Sequence, residues 1–446
     1  GENMKLAKLS LAAIVVAGLA SSSFAADTLA DAFKNGKVEG ELKAYYFDKD
    51  NGDKTENIFT TGVTLGYKTA SFYGLGAGFT FQGSSSPFAN GAVNDDADLR
   101  TGGKGMFQGD MYGTGAVLSE AYLSYTIGKT TAMAGRMFLD TPLVASSGSR
   151  VVKDAFEGAA IINTDLPSTT LIAGYVQKYQ DRTNGNGKIG EFTKSFGTGS
   201  LSGAIPVEFE DGAYTFAAIN KSITGLTLTA AYAYANDIAH LGYGEALYEG
   251  KVGEIGYTLG GQLYYNKIDK TLTNTANSVV QATPGNATFA YADDSMTTFA
   301  LKAGLSFRGI NGTVAYSQTS DDDIATGIVN GGTDAKDLHG AQLVSGLGNG
   351  ADLLYTNSTI NSPGYTRDTK AYMVDVNYDF TSAANAGVRY VLVDDNFWNE
   401  KTSLSSVYGS YKFDGSLKGF RLGAEYEAIG KDGDGDNLWV KANYKF

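Results

Sequence analysis

Hydrophobic and polar residues alternate with a period of two along most of the chain from residue 38 to the last residue. In the first such stretch Leu42, Ala44 and Tyr46 fall on one face, and Lys43 and Tyr45 fall on the other. This is the pattern of a β-strand, in which successive side chains point to opposite sides of the sheet. The same alternation recurs at 59–67, 75–81, 119–125, 132–138, 226–234, 299–307, 372–380 and 438–446. Each predicted strand has one face suited to an apolar surrounding and one suited to water.

The links between these strands are alternately short and long. Short turns are predicted at 126–129, 221–225, 308–311 and 414–419, and long loops at 82–115, 139–154, 181–211, 268–295 and 320–368. This alternation of short and long links is typical of a transmembrane antiparallel β-barrel with short periplasmic turns and longer external loops. Counting through the turns gives 18 strands, with 16 or 20 as alternatives if short runs such as 351–355 also pair in the barrel. The fold class that we predict is therefore all-β.

Residues 4–25 have the features of a secretory signal peptide. Lys5 and Lys8 precede a short apolar run at 9–19, and Ser23-Phe24-Ala25 is a small-x-small cleavage site. The alternative is a transmembrane anchor, which would need about 20 apolar residues, roughly twice the length of this run. We expect a mature chain from Ala26, a short periplasmic segment at 26–36 and a barrel at 37–446.

The composition also fits a barrel. The chain has 58 Gly, 28 Tyr and 23 Phe but only 6 Pro and no Cys. Tyr and Phe favour strands and membrane-interface girdles, and Gly suits tight turns. Without disulfides, stability must come from continuous hydrogen bonding, which a closed barrel supplies. Because closure pairs the first strand with the last, we expect Glu39 and Glu41 to lie near Lys441 and Lys445.

The segment 119–158 holds two predicted strands, a long inserted loop and the start of a third strand. Its runs SEAYL, AGRMFLDTPLVASSGSR and FEG, followed by YVQKYQDR at 175–182, resemble the OprD-type family of outer-membrane porins. The stretch FDGSLKGFRLGAEY at 413–426 resembles the last periplasmic turn and following strand of the same family. The resemblance extends over most of the mature chain apart from the external loops. It implies a basic ladder near an acidic, serine-bearing constriction.

The alternation of the strands stops at 139–154, where a Pro and a cluster of serines appear. A loop of this kind inside a barrel would fold into the lumen and narrow it, so we predict the constriction here, with 320–368 as the next candidate. The predicted constriction residues are Arg136, Asp140, Ser146, Ser147, Ser149, Arg150, Lys153 and Asp154.

The strand phases predict a wall of basic residues inside the barrel, because Arg or Lys on the lipid face would cost about 2–4 kcal/mol each at the midplane. The predicted basic wall consists of Arg136, Lys302, Arg389, Lys412, Arg421 and Lys441. The predicted acidic counterpart facing it consists of Glu120, Asp375, Asp379 and the loop residue Asp140. The alternative is that these charges pair with each other and only keep the lumen wet.

Other kinds of site lack support in the sequence. A hydrolase would need a His beside a nucleophile or carboxylate, and the two histidines, His240 and His339, fall in predicted loops. The acidic stretch 432–437 begins like a calcium loop but has Asn443 where a bidentate Glu is required. The net charge of −13 argues against nucleic acid as a partner. We expect no enzyme activity, no metal site and no cofactor.

Together these features predict a porin of a Gram-negative outer membrane, which lets small hydrophilic and charged solutes such as amino acids or carboxylates diffuse passively. Expected partners are outer-membrane lipids, lipopolysaccharide and the assembly machinery, which would read the terminal Phe446. The alternative is a structural or adhesive surface barrel with a blocked lumen. The sequence leaves open the solute, the sign of ion selectivity, and whether the barrel is a monomer or a homotrimer.

Overall fold

The computed structural model describes residues 26–50, 52, 55–90, 113–184, 187–194, 211–271, 287–288, 295–321, 329–330, 346–351, 354–360, 368–395, 400–430 and 435–446. The expected signal peptide and His339 lie outside the described residues, as does much of the acidic stretch 432–437.

The main sheet has 19 strands, one of which is the two-residue strand Phe192–Thr193; the other 18 form a closed antiparallel barrel. The predicted strand number is thus confirmed. The barrel strands are β1 Lys37–Asp50, β2 Thr55–Lys68, β3 Leu75–Asn90, β4 Gly115–Ile127, β5 Thr130–Met137, β6 Ala155–Asn163, β7 Thr169–Gln180, β8 Ala213–Asn220, β9 Leu226–Ala235, β10 Ala239–Val252, β11 Ile255–Ile268, β12 Ser295–Phe307, β13 Ile310–Thr319, β14 Lys370–Asp379, β15 Ala384–Asp395, β16 Glu400–Lys412, β17 Phe420–Gly430 and β18 Gly435–Lys445. A separate pair, Ala287–Thr288 and Val329–Asn330, forms a two-stranded sheet.

The barrel closes because β1 pairs with β2 on one side and with β18 on the other. In the closing pair Glu41 lies opposite Lys445, as expected, whereas Lys441 lies opposite Tyr45 rather than a carboxylate. The carboxylate of Glu41 accepts a hydrogen bond from the Asn443 side chain at 2.7 Å and lies 3.7 Å from the Lys43 Nζ atom. The charge of Glu41 is therefore balanced by Lys43 on the same strand, and the neutral Asn443 amide on β18 adds a hydrogen bond.

The two faces of the strands differ as the alternation predicts. Leu42, Leu123 and Leu301 point outward and are 48%, 71% and 55% exposed, whereas the neighbouring Lys43 is buried inside the barrel. An outward apolar band and an inward polar face are the pattern of a transmembrane barrel.

Short turns join the strands at the end of the barrel where β1 begins and β18 ends. The link between β12 and β13 is Arg308-Gly309, and both residues have positive φ, 45° and 88°. Two-residue hairpin links of this kind match the right-handed twist of the strands. The other predicted turns also lie between strands, for example 221–225 between β8 and β9.

A short helix, α1 Leu29–Lys34, precedes β1. Thr28 caps it, because its hydroxyl accepts a hydrogen bond from the Asp31 N–H at 3.0 Å. The Ala70 N–H donates to the Ala32 carbonyl at 2.9 Å and fixes α1 to the β2–β3 turn. Within the part of the chain that the structure describes, no helix is long and apolar enough to cross a membrane.

Candidate functional site: the interior of the barrel

Residues 139–154, here called the first inner segment, lie against inward side chains of several strands. The Lys43 Nζ atom on β1 donates to the Val151 carbonyl at 3.0 Å, and Lys441 on β18 donates to the Ser149 carbonyl at 2.8 Å. Gln82 on β3 both donates to the Lys153 carbonyl at 2.7 Å and accepts from the Lys153 N–H at 2.9 Å. The segment is therefore held by three strands, β18, β1 and β3, which lie close together in one region of the barrel wall.

An apolar stretch within the first inner segment explains why the chain folds inward here. Leu143, Val144 and Ala145 are at most 1% exposed and belong to, or adjoin, the largest buried apolar cluster, which also contains Phe156. A tight turn at 141–144 includes the first two of them, since the Thr141 N–H donates to the Val144 carbonyl at 3.0 Å. Burial of these side chains inside the barrel stabilises the inward path.

A second stretch also folds inside the barrel, residues 346–351 and 354–360, here called the second inner segment. It runs beside the first, since Leu347 and Val144 form a parallel bridge. Its Tyr355 hydroxyl donates to Glu245 on β10 at 2.5 Å, and Arg389 on β15 donates to the Thr359 hydroxyl at 3.1 Å. The expectation that 320–368 is an external loop is wrong for these residues, because their apolar side chains are buried in the interior clusters.

Asp154 joins the two inner segments to the wall. Its carboxylate accepts hydrogen bonds from the Ser147 N–H at 2.7 Å, the Tyr179 hydroxyl at 3.0 Å and the Asn349 N–H at 2.9 Å. Asn349 also donates through its side chain to Asp181 at 3.1 Å. Asp154 is fully buried, so its predicted place in the constriction corresponds to a structural anchor.

The serine-bearing part of the first inner segment is surrounded by cations. Ser147 and Ser149 are hydrogen-bonded to each other at 3.0 Å. Arg150 donates to the Ser149 hydroxyl at 3.2 Å, and Arg182 donates to the same hydroxyl at 3.3 Å. Arg150 and Lys441 both lie over the Trp439 ring, at 4.2 Å and 3.9 Å from its centroid. The Ser146 hydroxyl, in contrast, is buried and accepts from the Leu139 N–H at 3.3 Å.

Arg182 and Trp439 are absent from the sequence-based prediction. Arg182 is the last residue of the run at 175–182 that resembles the porin family, and it comes next to Ser149 only because β7 ends beside the first inner segment. The spacing of the two residues along the chain does not predict this contact between Arg182 and Ser149. Trp439 faces inward in the phase of the last strand, and that position was its only sequence signal.

Asp140 and Lys153 form a half-buried charged pair in the same segment. Burial raises the pKa of Asp140 to about 6, and the positive charge of Lys153 opposes part of that rise. Burial lowers the pKa of Lys153, against the attraction of Asp140, Glu120 and Asp154. Glu120 faces inward from β4 and accepts from the Thr80 hydroxyl at 2.5 Å. These acids lie beside cations and not across the lumen from them.

The predicted separation into a basic wall and an acidic wall is wrong for β14 to β18. Asp375 lies opposite Arg389 on the adjacent strand, and their side chains form an ion pair at 2.8 Å. The Tyr408 hydroxyl on β16 donates to the same carboxylate at 2.8 Å, and Glu425 follows on β17. Charges of both signs therefore alternate along one wall, because facing positions on neighbouring strands bring opposite charges together.

The remaining predicted lumen residues all face inward. Lys302 lies over the Tyr355 ring at 4.1 Å, so it contacts the second inner segment. Lys412 and Arg421 are opposite each other in the register near the short-turn end, and Arg421 donates to the Ser410 hydroxyl at 3.3 Å. Asp379 accepts from the Asn311 side chain at 3.1 Å.

Arg136 faces outward, contrary to the prediction. It shares a face with Glu157, which accepts from Arg136 at 3.0 Å and from Lys178 at 2.7 Å. The inward neighbours Met137 and Phe156 are buried under the first inner segment. Because protein fills the interior at this level, the apolar face of β5 points inward, and the phase is the reverse of the other strands.

His240 also differs from its predicted place in a loop, since it lies in β10. Its ring stacks on Tyr234 at a centroid distance of 4.5 Å, and its Nδ1 atom lies 2.7 Å from the Tyr232 hydroxyl. These aromatic partners are on the outer face, so His240 belongs to the surface of the barrel and not to its interior.

No protein-family model and no curated protein matches the sequence. Solved structures, however, resemble the whole fold. The outer membrane protein OpdK from Pseudomonas aeruginosa has a TM-score of 0.71 at 13% identity, over 93% of this chain and 99% of that one. OccAB1 from Acinetobacter baumannii has a TM-score of 0.72 at 16% identity, over 96% and 99%. A structure of OpdK with vanillate has a TM-score of 0.66 at 13% identity, over 93% and 99%. The chain thus has the 18-stranded barrel fold of the OprD-type and Occ outer-membrane channels.

Proposed function

We propose that the protein is an outer-membrane porin through which small, hydrophilic, charged solutes diffuse passively. The fold and its likeness to outer-membrane channels support this proposal. The observation that carries it is the exposed Ser149, which lies inside a closed barrel with Arg150, Arg182 and Lys441 around it. Folding of the barrel does not require an exposed polar loop with cations around it inside the lumen, whereas recognition of a passing anion does.

The two inner segments form the constriction in this proposal. A solute carboxylate would exchange its hydration for the serine hydroxyls and the cations beside them. The alternating charges of β14 to β18 offer Asp375 and Glu425 to an ammonium group and Arg389 to a carboxylate. Amino acids and small carboxylates are therefore the solutes that we propose, and vanillate, which is bound by OpdK, is itself a carboxylate. No energy source is required for such diffusion.

Lipids and lipopolysaccharide surround the outer face in this account, and the assembly machinery recognises Phe446.

The rival function is a structural or adhesive barrel with a blocked lumen. The observation in its favour is the large buried apolar cluster where the inner segments fill part of the interior. Planar-bilayer recording of the purified protein separates the two. A porin gives stepwise ionic current that depends on the solute, whereas a blocked barrel gives no steps although it inserts and folds.

A further inference from the structure

The short helix α1 has an apolar face that nothing in the described structure covers. Leu29 and Phe33 are four residues apart, so they lie on one side of the helix, and they are 57% and 49% exposed. Ala32, between them in the sequence, is buried against the β2–β3 turn. The contact that holds the helix therefore covers Ala32 and leaves the apolar pair exposed.

Tertiary contacts fix α1 in this orientation. A six-residue helix has too few internal hydrogen bonds to persist alone in water. The Thr28 cap, the bond from Ala70 to Ala32, and a hydrogen bond from the Ala26 N–H to the Ser71 carbonyl at 2.8 Å supply what the helix lacks. The exposed apolar pair is thus a fixed surface.

The outer rim of the barrel continues from this surface. The Tyr67 hydroxyl donates to the Phe33 carbonyl, and Tyr67 shares the outward face of β2 with Leu65. Opposite Tyr67 in the register is Val38, which is 61% exposed on the outward face of β1. Further exposed apolar side chains follow the same rim on both sides of α1, namely Tyr73, Leu75, Ile127 and Phe446. The apolar pair of α1 extends the lipid-facing band at the short-turn end.

We propose that α1 is an interfacial anchor, whose Leu29 and Phe33 side chains lie among the phospholipids of the periplasmic leaflet. An amphipathic helix lying in the plane of the interface buries its apolar face at the boundary between headgroups and acyl chains. Lys34 and Lys37 follow the pair in the sequence and are exposed, and basic side chains at the membrane interface reach the headgroup phosphates. The proposal rests on the proposed function only in so far as it requires the barrel to span a membrane.

Site-specific labelling tests the anchor, because the chain has no cysteine of its own. Leu29→Cys and Phe33→Cys would each carry a fluorophore, and each folded barrel would be placed in phosphatidylcholine vesicles with and without bromine near the top of the acyl chains. Leu123→Cys on the lipid face is the positive control. Ser382→Cys, in the exposed β14–β15 turn, is the water-facing control, and Lys34→Cys reports the polar side of the same helix.

The anchor predicts that bromolipid quenches the labels at 29 and 33 about as strongly as the label at 123, and more strongly than those at 34 and 382. Labels at 29 and 33 that respond like the label at 382 would overturn the anchor, as would labels shielded from lipid and water alike by a second copy of the chain. An unquenched label at 123 would instead refute the spanning barrel itself. The two positions on α1 are independent, so a substitution that prevents folding at one leaves the other informative.

Discussion

The Asp154 carboxylate accepts a hydrogen bond from the Asn349 N–H at 2.9 Å, although the two residues lie 195 positions apart in the chain. This contact joins the first inner segment to the second, and the Tyr179 hydroxyl joins both to β7. The two inner segments and β7 are therefore one connected structure, and the width of any path past them depends on both segments.

Asp154→Ala should loosen both inner segments together. The substitution leaves the N–H groups of Ser147 and Asn349 without their acceptor, at a cost for each below the roughly 1–3 kcal/mol of a fully buried donor, because water can partly replace the carboxylate. We expect a lower temperature for the heat-induced shift in gel mobility and a noisier, larger single-channel current. Asp165→Ala, in the exposed β6–β7 turn, is the matched control. Equal behaviour of the two variants would show that Asp154 does not hold the segments.

Arg389→Gln should shift ion preference toward cations. Arg389 is the cation between Asp375 and Glu425, so its loss leaves uncompensated negative charge on that wall. The zero-current potential in a KCl gradient measures the shift, and adding Asp375→Asn should move it back. Arg136→Gln removes the same charge from the outer face and should leave the potential unchanged. A potential that responds to Arg136→Gln but not to Arg389→Gln would contradict the assigned faces.

The ion preference should also depend on pH through Asp140. Since burial raises the pKa of this carboxyl to about 6, it is charged at higher pH and neutral below that value. Lowering the pH through this range removes negative charge beside Lys153, and any added protonation of Lys153 acts in the same direction. The zero-current potential should therefore move toward anion preference on acidification. Asp140→Asn should flatten this step, and an unaltered step would assign it to another group.

The end of the chain is expected to matter for assembly. The Phe446 backbone exchanges two hydrogen bonds with Gly40, at 3.0 Å and 3.1 Å, and its ring packs where a Cβ on Gly40 would otherwise lie. Phe446→Asp should lower the amount of heat-modifiable barrel far more than the amount of protein synthesised, while Phe446→Tyr should assemble normally. Normal assembly of Phe446→Asp would contradict a role of the terminal aromatic in assembly.

Much of the barrel could be predicted from the sequence because strand period and turn chemistry are local properties. The phase of Leu42 against Lys43 follows from two neighbouring residues, and the Arg308-Gly309 turn from its own short link. The site was harder to predict, since Arg182 contacts Ser149, and Asn349 contacts Asp154, only as a result of the fold. The error at Arg136 has the same origin. Because protein fills the interior beside β5, the apolar face of this strand points inward, and the local sequence pattern cannot predict what fills the interior.

The central claim is that the first inner segment lines the path of the permeating solute, and Ser149→Cys tests it most directly. The wild-type chain has no cysteine, so a thiol-reactive methanethiosulfonate acts at position 149 alone. Single-channel conductance should fall in steps when a bulky reagent is added, and a negatively charged reagent should shift preference toward cations. The wild-type channel and Ser382→Cys should not respond. Unchanged conductance after complete modification of Ser149→Cys would contradict the account.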